Sequence, residues 1–390
     1  MNILCLGAGG MGALAAETLA GFDEIGKLTI ADLNLAAAQR VAGTCRGKAT
    51  ACSVSVEDAE GLTQLMRGHD VVANCVGPFF RFAVPILSCA IRAGINYFDI
   101  CDDPEPTLDM LKMGKKAEAA GITAVVGVGA TPGITNMLAA KVYGMFQRVD
   151  ELHAAWNIEK KETDAPEAIA YSAAIVHWMQ QCSGTILECR DGKLQAVKPL
   201  RAVELHYPGL GDRTVWTVGH PEPVAFSWSY PEIKKSSCYM VMPSMTADYF
   251  KKLAGKIDAG RLTLEAAGHQ LVDEAKNASL LDHILEVISG LFDHPSLPLF
   301  FVIAKGEING RPATVAATIK ANPPGMAKST GIPLAIGIHQ FARGMVKVKG
   351  VAAPEKALDA DAFFRELAPY CTYPHRVADD DILDIIQEFE

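Results

Sequence analysis

Residues 2–21 read NILCLGAGGMGALAAETLAG. A short apolar run meets a glycine cluster, and an alanine-rich amphipathic stretch follows with no spacer. Gly7, Gly9 and Gly12 form G-x-G-x-x-G between a strand pattern and a helix pattern. In that setting the first glycine permits a tight turn, the second lets main chain approach a pyrophosphate, and the third lets helix pack on strand. Unpaired N–H groups and the dipole at the helix start favour an anion there. Gly7, Gly9, Gly10, Met11 and Gly12 are therefore the expected cradle of a dinucleotide.

Such a site needs an acidic residue about 20 positions on, at the end of the second strand. KLTIADLN places Asp32 there. Its carboxylate would accept hydrogen bonds from the adenosine ribose and repel a 2′-phosphate. Leu33 follows, where an NADP site more often supplies an arginine. NAD is thus expected over NADP. In open α/β sheets ligands lie beyond the carboxyl ends of the strands. That puts Asn74, Val76, Gly77 and Pro78, after the fourth strand, beside the second ribose and the nicotinamide, with Phe79 and Phe80 as a candidate wall.

Short β-rich runs at 3–6, 28–31, 50–54, 71–76, 97–100 and 123–128 alternate with helical patterns such as 84–93 and 107–120. Strands apolar on both faces and spaced by helices imply a parallel sheet covered on both sides. Past residue 150 the texture changes. LECRDGKLQAV turns at Asp191–Gly192 and VIAKGEINGRPATVAATI turns at Asn309–Gly310, both strong hairpin signals. Asp164 is the expected N-cap of a helix running towards Gly184, and helical patterns recur over 361–390. The fold class is α/β: an N-terminal Rossmann-type doubly wound parallel sheet with a second α+β domain on a mixed or antiparallel sheet. The expected domains are 1–132 and 133–344, with 345–390 packing back on the first.

The 390 residues carry a net charge of −9 and no Lys/Arg-rich run, which argues against nucleic acid or an anionic membrane as partner. Ten scattered cysteines without a CxxC pair read as reduced thiols of a cytoplasmic protein. No apolar run approaches the ~20 residues of a membrane span.

HDVVANCVGPFFRFAVPILSCAIRAGINYFDICDD carries Asn-x-x-Gly-Pro after the fourth strand and AGINYFDI after the next helix. This order, with VVGVGATPGITNMLA behind it, resembles the saccharopine dehydrogenase-like reductases. TVGHPEPV and GIPLAIGIHQFARG are similar to the lysine 6-dehydrogenase branch of that family. The resemblance covers most of the chain and implies a nicotinamide-dependent oxidoreductase acting on a C–N bond of an amino acid, generally a homo-oligomer such as a dimer. Thr131 stands where saccharopine reductases usually carry aspartate, which argues against saccharopine as substrate and leaves Thr131 as a substrate-binding position.

Amine oxidation needs a proton acceptor and a dry site that holds the C–H against the nicotinamide. Asp99 and Asp102, just past the fifth strand, and His220 of GHPEP are the candidate catalytic groups. Arg81 is a candidate clamp for a substrate carboxylate and Glu222 for an amine. His177, on a helical stretch with Ile169, Ala173 and Val176, reads as a core histidine. H-x-E at 220–222 lacks the P-C-x-x-C of zinc deaminases, and no other metal motif is present, so no metal is expected. The leading expectation is NAD-dependent oxidation of L-lysine or a related diamino acid to an imine or semialdehyde. The rivals are reductive condensation of an amine with an aldehyde, as in carboxynorspermidine or homospermidine synthesis, and an NAD sensor without chemistry.

Overall fold

The structure is a computed structural model and describes residues 1–159, 173–277, 296–378 and 381–390. The first sheet is built from β1 (Asn2–Leu6), β2 (Lys27–Asp32), β3 (Ala49–Ser53), β4 (Val71–Asn74), β5 (Asn96–Asp99) and β6 (Thr123–Val125), with the strand Gly350–Ala352 added beyond β6. Every pairing is parallel, in the order β6-β5-β4-β1-β2-β3. The order reverses between β1 and β4, which opens a crevice at their carboxyl ends.

Both faces of this sheet are dry. Ile3, Cys5, Ile30 and Phe98 join a core with the helices Gly10–Ala20 and Met326–Ala342. Leu4, Leu6, Val72 and Tyr97 point the other way, onto the helix Phe79–Ala93. The helix Met326–Ala342, which takes in most of GIPLAIGIHQFARG, therefore packs on the nucleotide domain although its sequence lies before residue 345. A Cβ on Gly331 would lie 2.5 Å from the Met11 carbonyl oxygen, so glycine there sets how closely this helix approaches Gly10–Ala20.

The second sheet centres on Arg148–Asn157, flanked by Cys238–Val241 and Phe300–Ile308. Its hairpins fall where the dipeptides place them. Asp191 and Gly192 have φ of 51° and 73°, Asn309 and Gly310 52° and 74°, and antiparallel strands flank both pairs. These paired left-handed residues match the twist of the strands they join. The sheet also curls: Ala202–Tyr207 lies at one edge and Leu383–Phe389 at another, yet His206 Nε2 reaches Glu388 Oε1 at 3.2 Å. The concave side encloses its own core of Leu205, Tyr207, Tyr239, Phe301 and Ile303.

The strand Leu383–Phe389 corrects the expected terminal helix. It pairs antiparallel with Arg311–Ile319 in the second sheet, so this part of 345–390 does not return to the first domain. Among the described residues of that region, helical structure is confined to Pro354–Ala357, Ala360–Leu367 and a 3-10 turn at Ala368–Tyr370. The expected helix 107–120 is two helices, Pro104–Lys112 and Gly114–Ala119. Asp164 lies outside the described residues; its helix is seen over Ala173–Gln181. All ten cysteines are free thiols. No helix among the described residues is long and apolar enough to cross a membrane.

Candidate active site

The glycine turn is closed on one side and open on the other. Gly7 has φ of +92°, and a Cβ there would lie 2.9 Å from the Cys75 carbonyl oxygen. A Cβ on Gly12 would lie 2.0 Å from the Gly7 carbonyl oxygen. Both positions are buried, and glycine is a steric requirement at each. Gly9 and Gly10 are exposed, and a Cβ on Gly9 would meet no protein atom within 4 Å. Open space over bare main chain at a helix start fits a diphosphate. Asp32 stands beside it: Ala8 N–H donates to Oδ2 at 2.7 Å and Asn34 N–H to Oδ1 at 2.8 Å. These bonds hold the carboxylate at the end of β2, where an adenosine ribose would lie.

Across the crevice, Asn74 is fully buried. Its Oδ1 accepts the Val76 N–H at 3.0 Å, and its Nδ2 donates to the Tyr97 hydroxyl at 2.9 Å. Asn74 thus shapes the turn that leaves Gly77 and Pro78 exposed at the crevice lip. Phe80, the next exposed group, is 59% accessible.

The acids after β5 separate into different roles. Asp99 is fully buried, accepting the Tyr97 hydroxyl at 2.8 Å and the N–H groups of Gly127 at 2.7 Å and Cys101 at 3.1 Å. Burial pushes its carboxyl up to about 6 against the pull of those bonds. Its oxygens tie the ends of β5 and β6 together. Asp102 keeps 36% of its side chain accessible. Burial would raise its carboxyl, but His177 and His220 together hold it below the usual range. Asp103 is buried; Oδ2 takes the Phe80 N–H at 2.8 Å and Oδ1 takes His177 Nε2 at 2.8 Å.

His177 is the group sequence reasoning missed. Its Nδ1 lies 3.1 Å from Asp102 Oδ2 and its Nε2 bonds Asp103. Burial opposes the charged ring, yet the two carboxylates raise it to about 10. It sits between two carboxylates and not among apolar side chains alone. Only the FDICDD acids hinted at a cation, and their partner lies 74 residues from Asp103.

The second domain also delivers His220 and Glu222. His220 Nδ1 bonds Glu222 Oε2, and its ring leans on Trp156 with centroids 4.7 Å apart. Glu222 is fully buried: Oε1 accepts the hydroxyls of Thr131 and of Thr135, the latter at 2.8 Å. Burial would raise its carboxyl; His220 and the two hydroxyls bring it below its ordinary value. Glu222 and Thr131 are therefore engaged with each other, one from each expected domain. Arg81 is 59% accessible, pairs with Glu57 and lies 4.7 Å from the Phe82 ring.

Residues 3–125 match the family model described as saccharopine dehydrogenase NADP binding domain. Over 94% of the chain, 21% of positions are identical to carboxyaminopropylagmatine dehydrogenase of Synechocystis, which is covered to 95%. Carboxynorspermidine synthase of Vibrio cholerae is 24% identical, with 94% of both chains covered. NADP-dependent, L-glutamate-forming saccharopine dehydrogenase of Saccharomyces cerevisiae is 29% identical over 40% of this chain and 31% of its own length. The fold of the yeast L-glutamate-forming enzyme in its apo form superimposes with a TM-score of 0.64 at 19% identity, covering 99% of each chain. The glycine turn and crevice thus lie in a segment that matches a saccharopine dehydrogenase NADP binding domain, and the whole chain shares the fold of the yeast enzyme.

Proposed function

We propose that this chain is an NAD-dependent oxidoreductase that forms or breaks a C–N bond of an amino-acid-type amine, working as a cytoplasmic homodimer on a small-molecule substrate, with neither nucleic acid nor membrane as partner. One observation carries the reading. The accessible Asp102 carboxylate, paired with His177 and faced by His220, follows β5 next to Asp103, which holds the Phe80 N–H just after the exposed Gly77–Pro78 turn. A bound nicotinamide supplies or accepts the hydride at that edge. Asp102 then offers a negative site for a substrate ammonium or iminium. His220, with Nδ1 given to Glu222, keeps Nε2 to exchange a proton. The ring, buried and leaning on Trp156, lies in dry surroundings.

Similarity to carboxynorspermidine synthase over nearly the whole chain supports the condensing, reductive direction over lysine oxidation. In that direction an amine and an aldehyde lose water to give an imine, and hydride plus a proton convert it to a secondary amine. Asp32, fixed by two main-chain N–H groups with Leu33 exposed beside it, supports NAD over NADP.

The test incubates the purified protein with a diamine, an amino-acid semialdehyde and either NADH or NADPH. The expected product has the mass of amine plus aldehyde, less one water, plus two hydrogens, and forms faster with NADH. Reduction of NAD by L-lysine alone would restore the oxidative reading. No turnover in either direction would favour the sensor.

A further inference from the structure

His177 joins three segments that the chain brings together from far apart. Its Nε2 meets Asp103 Oδ1, and the other oxygen of Asp103 holds the N–H of Phe80 on the lip after β4. Its Nδ1 meets Asp102 Oδ2. The helix that carries it, Ala173–Gln181, ends with the Gln181 carbonyl accepting the Gly219 N–H at 2.8 Å, immediately before His220. The line Phe80–Asp103–His177–Gln181–Gly219–His220 thus runs from the nicotinamide side of the first domain to the proton-exchanging side of the second.

Asp102 is the least buried member of this cluster, and a carboxylate at such a site is free to rotate unless something fixes it. The donor atoms of Asp102, Asp103 and His177 lie within 4.8 Å of one another, so the ring fills the gap between the two acids. Gln181 adds a further detail. It is 5% exposed, its amide nitrogen lies 3.4 Å from His177 Nδ1, and its Oε1 has no partner. Turning that amide gives the ring a further acceptor, as a doubly protonated imidazole requires.

We propose that His177 is a positioning residue: clamped between Asp102 and Asp103, it fixes the Asp102 carboxylate towards the substrate amine and draws the second domain onto the Phe80 lip. The inference rests on the proposed role of Asp102 and goes beyond it, because His177 acts through Asp102 and not on the substrate. Asp99, from the end of β5, Cys101 and His220 also face Asp102, and Cys101 and Glu105 face Asp103. Among the described residues His177 is the basic group in direct contact with both acids.

The test uses the full chain with His177→Gln, His177→Arg and Asp102→Asn, each assayed for turnover against pH and for reduced-cofactor binding by calorimetry. The expected result for His177→Gln is a kcat lower by about tenfold or more with cofactor affinity kept. Its acid limb should move up by about one pH unit, because Asp102 has lost its counter-charge. His177→Arg, which keeps a charge able to bridge both acids, should bring the limb back. In wild-type protein labelled with 15N-histidine, the His177 ring should stay doubly protonated at pH 8.5 and lose that state in Asp102→Asn. An acid limb unchanged in His177→Gln, or a neutral ring in the wild type, overturns the proposal even if the glutamine variant folds poorly. Full activity in Asp102→Asn overturns the site reading instead, which separates the two failures.

Discussion

Substituting alanine at Gly9 and at Gly12 separates folding from nucleotide binding. Gly9 caps the first helix with φ −74° and ψ −177°, a conformation any residue adopts, and its added methyl would meet no protein atom within 4 Å. Removing glycine's freedom from the unfolded chain stabilises by ~0.4–1 kcal/mol. Alanine is a poorer N-cap by a similar amount. The two effects nearly cancel, so Gly9→Ala should shift Tm by less than about 2 °C. The same methyl stands where a diphosphate would approach the helix start, and losing one or two charge-assisted hydrogen bonds costs ~2–4 kcal/mol. Cofactor affinity should fall by ~30- to 1,000-fold. Gly12→Ala differs, because its methyl would lie 2.0 Å from the Gly7 carbonyl oxygen and 3.3 Å from the Cys75 Cβ. The helix must move off the strand, at a cost of ~1–3 kcal/mol or more, so stability and binding fall together. Scanning fluorimetry and calorimetry with NADH and NADPH read both quantities. Wild-type cofactor affinity in Gly9→Ala would refute the reasoning.

Further predictions concern Glu222, Arg81 and Asp99. Glu222→Leu should destabilise by ~3–5 kcal/mol, since it strands the hydroxyls of Thr131 and Thr135 and His220 Nδ1 in a dry interior; denaturant unfolding measures it. Arg81→Ala should change kcat/KM less than about twofold, because Arg81 faces Glu57 and solvent; a large rise in KM for a carboxylate substrate would return it to the site. Asp99 is held at about 6 when folded against an ordinary 3.8, so the folded state binds the extra proton. Its contribution is greatest below pH ~4 and is lost as pH rises through ~6, a decline of up to about 3 kcal/mol. The stability of wild type relative to Asp99→Asn, followed between pH 4 and 8, should fall over that window; a flat difference would contradict it.

The glycine turn, Asp32 and both hairpins were legible because each is local. The turn types need glycine or asparagine at stated positions, and the acid at the end of β2 is counted from the turn itself. The strand Leu383–Phe389 was not, because apolar residues at 382, 383, 385, 386 and 389 suit a helix as well as an edge strand, and only pairing with Arg311–Ile319 decides between them. Likewise GIPLAIGIHQFARG shows helical spacing but not its partner; the contact of Gly331 with Met11 comes from packing. In the site, residue type was readable and commitment was not. Asp99, Asp102 and Asp103 look alike in FDICDD, and only burial with hydrogen bonding tells the Asp99 tie, the accessible Asp102 and the Asp103 anchor apart. The charge on His177 depends on two acids from another domain.

A crystal structure with reduced cofactor tests the central claim most directly. The account predicts the diphosphate over Gly9 and Gly10 and the nicotinamide against Gly77–Pro78, with its C4 opening onto a space bordered by Asp102 and His220. A dinucleotide bound elsewhere, or a nicotinamide turned away from those two residues, would contradict it.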